Sequence, residues 1–508
     1  MEHEITQKFI GFDAIFQYTA SGVQLVSGLL FYVVISHLFS KGEVGAIALF
    51  LAIIGLFNTF FSFGLGNAAQ HFTSYNLGNG DLSSVRQTVF KFILFGFIFS
   101  MLGFIALMVF SGEISLIFLH SSSYTGLVRI LAVVLIGNIT LSILNGVLLG
   151  IQSFRISAII NIIIWTTYYF GSVIFAYLVR SLDMIIIGWL IGVFLGVAFQ
   201  LFFILYSMRK YSGPGMAPKN SHLFKYSVPI LFSGLISYGA FYADRFIVSG
   251  LLSLSSLGVY NFSLLIASSI GFIVIPFNNI LMPKFSEFFG KGELGSISAY
   301  VKISTLLLSS IFVPAAVGVA AIAPSIMNFI AGSSYLGAVE PLKVILVFSA
   351  IFVSSNILIQ AIASVRKTRV LIFSSALSLS SNFVLSFVLI PIYGIVGAAF
   401  GFSSIYVSTF IVLYFATNKE KICSFNVLAI FKVWISSLIM YLLVYVAVGV
   451  FGNNPLFLPI EIGFGILVYM VLSRLFKVFD PETKRMVLSL FPESNVKVRK
   501  VISILLLH

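Results

Sequence analysis

The stretch from Thr88 to Ser111, TVFKFILFGFIFSMLGFIALMVFS, decides the fold class, because its only charge is Lys91 and the rest is apolar or small. About 20 residues of helix, rising 1.5 Å each, cross a hydrocarbon core of roughly 30 Å. Working outward, apolar blocks of this kind recur along the whole chain, separated by short polar breaks. Only 9% of the residues are charged and 59% are apolar, against roughly 25% charged in a soluble chain. Lipid admits only helices or closed barrels. The alternating segments of about ten residues that mark a barrel are missing. The chain therefore reads as an all-α polytopic membrane protein with about fourteen transmembrane helices.

Breaks in hydropathy place spans near 12 to 39, 44 to 71, 88 to 111, 125 to 149, 156 to 179 and 183 to 207. A second set lies near 227 to 251, 257 to 282, 302 to 323, 338 to 364, 370 to 390 and 394 to 416, with a final pair near 433 to 452 and 457 to 473. The first block, Phe12 to Leu38, exceeds a signal-peptide core and has no small-residue cleavage site after it, so it reads as a retained span.

The net charge of +13 invites a nucleic-acid reading, but the cations alternate with the spans. One face collects Lys8, Arg86, Lys91, Arg155, Arg209, Lys210, Lys219, Lys225, Lys284, Lys291, Lys302, Arg366, Lys367, Arg369, Lys419, Lys421, Lys432 and the basic tail from Arg474 to Lys500. The other face keeps Lys41, Arg129, Arg180 and Lys343, and Arg245 falls inside a span. The positive-inside bias accounts for the charge, puts both termini in the cytoplasm and makes the chain a multi-pass protein of the cell (cytoplasmic) membrane. Nucleic acid is not an expected partner.

The two halves repeat. Gly45 matches Gly258 in a similar setting, Asp81 matches Glu293 and Arg155 matches Arg369, all at nearly the same shift along the chain. A shared offset at equivalent loops points to an internal duplication. Six spans return the chain to its starting side, so the repeats run parallel, with a substrate site expected between two lobes that rock for alternating access. The predicted organisation is an N-terminal six-helix lobe over 1–211, a cytoplasmic linker over 212–226 and a C-terminal six-helix lobe over 227–416. An additional helix pair, 13 and 14, follows over 417–476, with a basic cytoplasmic tail over 477–508.

Several chemistries are disfavoured. Cys423 is the only cysteine, and His3, His37, His71, His120, His222 and His508 lack the spacing that sets two ligands on one helical face, so no metal is expected. No GxxxxGK[ST] motif is present. The outer connections, the longest near Gly112 to Tyr124 and Pro324 to Gly337, hold no catalytic domain, so the chain is not expected to be an enzyme or to carry a cofactor.

Phe39-Ser40-Lys41-Gly42-Glu43-Val44-Gly45, Phe63-Gly64-Leu65-Gly66-Asn67-Ala68, Ala243-Asp244-Arg245-Phe246-Ile247-Val248-Ser249-Gly250 and Ile390-Pro391-Ile392-Tyr393-Gly394-Ile395-Val396-Gly397 occur in this order. In order and spacing they resemble the polysaccharide-exporter, or Wzx-type flippase, branch of the MOP superfamily, over nearly the whole chain. The resemblance implies two six-helix lobes around a hydrated cavity and flipping of a polyprenyl-linked oligosaccharide. The related MATE antiporters normally stop at twelve spans, and lipid II-type flippases share fourteen. A MATE-like cation antiporter, a lipid II-type flippase and an ungated scaffold or scramblase are the alternatives, with a membrane glycosyltransferase the weakest.

A lipid-linked sugar carries phosphate, hydroxyls and a long apolar tail, so its carrier needs a cation and hydrogen-bonding partners inside the membrane. An ionised residue within a span costs roughly 2.5 to 3.5 kcal/mol at the centre on insertion scales and is usually paired or faces a cavity. Asp244 and Arg245 are the clearest case, near the outer end of span seven. One reading has Arg245 hold a phosphate and Asp244 orient it or couple to an ion such as H+ or Na+; the other has the pair lock span seven to its neighbours. Adjacent residues diverge by about 100° around a helix, so the two are expected to address different partners. Tyr238, Tyr242 and Tyr260 are candidate sugar contacts, and Asn278 is one of several amides that could line the cavity. Asp13 is a second candidate for ion coupling, although an acid in a first helical turn also suits the helix dipole. Two lobes in one chain make a monomer sufficient.

Overall fold

This computed structural model describes residues 2–211, 213, 215–451 and 455–479, with side chains from residue 16 onward except at 275, 276, 279, 280, 450, 451 and 455. The basic tail from 480 onward lies outside the described residues. Among those described no strand forms, and the contacts divide them into two units, Met1–Gly258 and Val259–His508.

The first unit holds α1 (Glu2–Leu38), α2 (Lys41–Phe61), α3 (Leu65–Gly78), α4 (Leu82–Val109), α5 (Ser111–Leu119), α6 (Thr125–Gly150), α7 (Phe154–Thr166), α8 (Ser172–Val179), α9 (Leu182–Met208) and α10 (Asn220–Leu251). A box of hydrogen bonds between Ser40 and Glu43 starts α2. Span two, expected as one helix, is broken between α2 and α3, where Phe63 and Gly64 take left-handed φ values of 53° and 67°. Gly64 is needed there twice over, since a Cβ would also meet the Ser227 carbonyl oxygen at 2.8 Å. A π-helical turn, Thr167–Gly171, joins α7 to α8. The linker packs on the start of α4: the Met216 amide donates to Ser84 Oγ at 3.0 Å and Lys91 Nζ to the Pro218 carbonyl at 2.5 Å.

The second unit continues from α11 (Leu254–Gly271), which contains the unit boundary, through α12 (Ile275–Gly290), α13 (Leu294–Ala321), α14 (Ala323–Ala331), α15 (Val339–Ser364), α16 (Thr368–Tyr393), α17 (Ile395–Lys419), α18 (Val427–Phe451) and α19 (Leu458–Leu475). The repeat is visible in the spacing of the elements. The starts of α4 and α13, Leu82 and Leu294, are separated by the same interval as Ser111 and Ala323, which start the short helices α5 and α14. Thr125 and Val339 open α6 and α15 at almost the same interval. Even the break between α2 and α3 has its counterpart in the 3-10 turn Phe272–Val274 between α11 and α12.

Among the described residues thirteen helical stretches are long and apolar enough to cross a membrane. Helix α10 falls short because serines, tyrosines and the Asp244–Arg245 pair dilute its apolar character. Its end at Leu251 nevertheless follows the end of α1 at Leu38 by the repeat interval, so it holds in the second repeat the place α1 holds in the first. With it the spans number the expected fourteen. Large side chains such as Phe97, Phe202 and Phe387 are more than half exposed, as lipid-facing residues are.

Hydrocarbon gives helices no hydrophobic reason to associate, so close packing at small residues holds them together. The starts of α2 and α11 nearly touch. A Cβ on Gly45 would lie 1.8 Å from the Leu254 carbonyl oxygen, and one on Gly258 would lie 2.1 Å from that of Lys41. Gly45→Val and Gly258→Val are expected to destabilise the protein by about 1 to 3 kcal/mol each, the usual cost of overpacking. Thermal melting in detergent checks this, with Gly250→Ala as the neutral control, because nothing lies within 4 Å of its added methyl.

Candidate functional site in the first unit

Helix α10 packs along α2 within the first unit, and the contact is shaped around one tyrosine. The Tyr238 hydroxyl donates to the Ala52 carbonyl of α2 at 2.6 Å. Gly55 makes room for it, since a Cβ there would lie 2.4 Å from that hydroxyl. One turn further along α10, the Tyr242 ring stacks on Tyr238 with centroids 4.3 Å apart and planes 2° from parallel. The Arg245 guanidinium sits over the Tyr242 ring at 4.2 Å, a cation–π contact. Its NH1 also donates to the Phe241 carbonyl at 2.6 Å and lies 3.7 Å from Asp244 Oδ1.

These contacts correct one expectation. Asp244 and Arg245 do meet, because the long arginine stem folds back along its own helix and overrides the divergence of adjacent Cα–Cβ directions. The Asp244 side chain has no accessible surface, whereas that of Arg245 keeps 14%. The negative charge is thus sealed into the helix packing and the guanidinium remains within reach of solute. Tyr238, Tyr242, Asp244 and Arg245 form one continuous ladder along a single helix.

Three expected site residues stand apart from the ladder. Tyr260, expected as a sugar contact, has no accessible surface and donates to the Ala398 carbonyl at 3.3 Å within the second unit. Its hydroxyl ties α11 to α17, so it is a packing residue in this structure. Asn278 lies on α12 in the second unit, half-buried, with Oδ1 shielded and without a hydrogen-bond donor. The Asp13 side chain lies outside the described residues. Other amides in the spans have local partners: Asn145 of α6 accepts from Ser157 of α7 at 2.7 Å, and Asn382 accepts from Ser386 one turn along α16 at 2.9 Å. Among the described residues no three His, Cys, Asp or Glu side chains converge as a metal site would require.

Sequence reasoning passed over Tyr169, another aromatic side chain of the first unit. It sits in the π-turn between α7 and α8, stacks near Trp165 at 6.0 Å and contacts Phe31 of α1 at 5.5 Å. The dense aromatic run from Trp165 to Phe170 was the available signal, and π-turns often mark functional positions. Together these groups put one partly accessible cation among several tyrosines, a set able to receive an anion and the faces and hydroxyls of sugars.

Among the described residues the chain is all-helical, and fourteen spans in two related halves with a cation lodged in one of them is an architecture that membrane transporters use. The sequence profile of the family described as polysaccharide biosynthesis protein matches residues 34–340, and the chain belongs to that family. A relative from Haloferax volcanii, described as the probable low-salt glycan biosynthesis flippase Agl15, is 25% identical over 449 residues, 86% of this chain and 89% of its own length. Among solved structures, the lipid II flippase MurJ in an inward closed conformation superposes with a TM-score of 0.72 at 17% identity, covering 91% of this chain and 98% of its own. An inward-facing multidrug-resistance MATE transporter of the MOP superfamily gives 0.64 at 14% identity, covering 78% and 94%. These two structural likenesses show that the chain shares its fold with both transporters.

Gly55→Val fills the space of the Tyr238 hydroxyl without touching Arg245. It is expected to tilt the tyrosine ladder and lower activity by about ten-fold or more, as small misplacements at a binding site do. Tyr238→Phe, which loses one hydrogen bond worth roughly 1 kcal/mol, should cost much less. A side-by-side assay of the two variants at matched expression checks the order.

Proposed function

We infer that the protein flips a polyprenyl-phosphate- or diphosphate-linked oligosaccharide from the cytoplasmic to the outer leaflet of the cell membrane, by alternating access of its two halves. The observation that carries this reading is the Arg245 guanidinium, held over Tyr242 inside a span and still partly accessible. A planar guanidinium suits phosphate oxygens, to which it can donate two parallel hydrogen bonds. Asp244 compensates its charge, so an arriving phosphate competes with it for the cation. The stacked tyrosines offer aromatic faces to the sugar next to it.

Family membership and the flippase relative support the same cargo, and the distribution of Lys and Arg supports cytoplasmic termini. Energy would come from an ion, H+ or Na+, or from consumption of the flipped product. Asp13, at the start of the first span, and Asp244 are the acids available for coupling. The protein acts as a transporter without covalent chemistry, and one chain suffices.

Labelled polyprenyl-diphosphate oligosaccharide in sealed proteoliposomes tests the reading. Wild type should expose the label to an external modifying enzyme. Arg245→Ala should slow this at least about ten-fold, the loss of one charge-assisted phosphate contact, while Arg245→Lys should fall between because it keeps charge without the planar stack. Full transport by Arg245→Ala, or carriage of cationic drugs with no movement of lipid-linked sugars, would overturn it.

A further inference from the structure

A second feature, confined to the second unit, plays no part in that ladder. A cavity of about 640 Å³ lies between α13 and the helix pair α18 and α19. Its walls are apolar along most of their length, with Leu307, Pro314 and Val319 on one side and Met440, Val444 and Ile466 on the other. It follows α19 from Glu461 to Ser473, a path of about 18 Å at 1.5 Å per residue. The shape suits one extended acyl chain lying along the helix.

The exception in the lining stands at one end. Glu461, in the first turn of α19, is only 2% exposed. Its Oε1 lies 3.4 Å from the Ser325 hydroxyl of α14, and its Oε2 is shielded with no hydrogen-bond partner. Among the described residues no Lys or Arg pairs with it. Lys343, at the start of α15, is already bound to Glu340 at 2.8 Å. Two turns along α19 the Tyr469 hydroxyl is also buried without a partner. The start of a helix favours a negative charge, but a shielded carboxylate still calls for a donor or a cation. The cavity that Glu461 borders is the space such a group would enter.

We propose that this cavity is a binding site for an amphiphile with a long apolar chain and an ammonium head, the ammonium docked on Glu461 and the chain laid between α13 and α19. An anionic phosphate head is repelled at that position, which separates the site from the one built around Arg245. In the membrane orientation inferred above, Glu461 faces the outer leaflet, and the occupant comes from there. Either an aminophospholipid of the bilayer or a free long-chain amine supplies the same head chemistry.

The test uses the full chain in phosphatidylglycerol nanodiscs and a hexadecylamine carrying a photoreactive diazirine in its chain. Labelling should be saturable, should map to peptides of α13 and α19, and should be competed by hexadecylamine but not by hexadecyl phosphate or a polyprenyl phosphate. Competition by added phosphatidylethanolamine assigns the site to a bilayer lipid; competition by the free amine alone assigns it to a soluble amphiphile. Glu461→Gln should weaken labelling about ten-fold, the effect of losing one charge-assisted hydrogen bond. Ala315→Leu, which narrows the cavity without touching the carboxylate, should weaken it as well. The proposal fails if hexadecyl phosphate or the polyprenyl phosphate competes as well as the amine, since the groove then takes any chain. It also fails if a folded Glu461→Gln labels like wild type. The wild-type competition series decides the matter even if both variants misfold, and none of these outcomes depends on Arg245 or on flipping activity.

Discussion

Hydrocarbon offers no hydrogen bonds, and the rest of the molecule depends on that constraint. Every backbone amide in a span must be satisfied inside its own helix, which accounts for an all-helical chain whose breaks fall at a few special turns. Helices that cannot be pressed together by water must be fitted together by shape, so glycines bring the backbones of α2 and α11 into near contact. In such a structure a polar group inside a span is an exception that needs a reason. Most here have a local one: hydroxyls such as Ser172 and Thr417 bond nearby backbone carbonyls, and Asn145 and Ser157 bind each other between α6 and α7.

Two charged side chains stand out beyond these, and they have opposite charge. Arg245 keeps a partly accessible cation over an aromatic ring, with its countercharge Asp244 sealed behind it. Glu461 keeps a shielded carboxylate at the end of an apolar cavity. The first suits a phosphate and the second suits an ammonium. A carrier for lipid-linked sugar has use for both, one for cargo and one for the lipid around it, and the helix pair after the twelve-span core supplies the second.

Much of this was legible in the sequence because the signals are long. Apolar blocks gave the spans, cation alternation gave the expected orientation, and three matched loops gave a repeat whose near-constant offset reappears in the element boundaries. The Asp244–Arg245 pair stood out because charge inside a span is rare. What stayed hidden depends on tertiary geometry. No periodicity announces that the Arg245 stem folds back onto Asp244 and Tyr242, nor that Tyr260 turns into the packing of α11 and α17 while Tyr238 and Tyr242 stack. Tyr169 was missed because a π-turn changes the direction of side chains without an unambiguous sequence mark. Glu461 carries no sequence mark that sets it apart from an ordinary first-turn acid, and only the cavity beside it distinguishes it.

The central claim is that Arg245 recognises the phosphate of the cargo, and a binding measurement reaches it more directly than transport. Purified protein would be melted in the presence of a polyprenyl-diphosphate oligosaccharide and, separately, of the polyprenol with the same chain and no phosphate. The account predicts stabilisation by the diphosphate beyond that given by the alcohol, and loss of this difference in Arg245→Ala. Equal stabilisation by both ligands, or a diphosphate preference that survives in the variant, would contradict it.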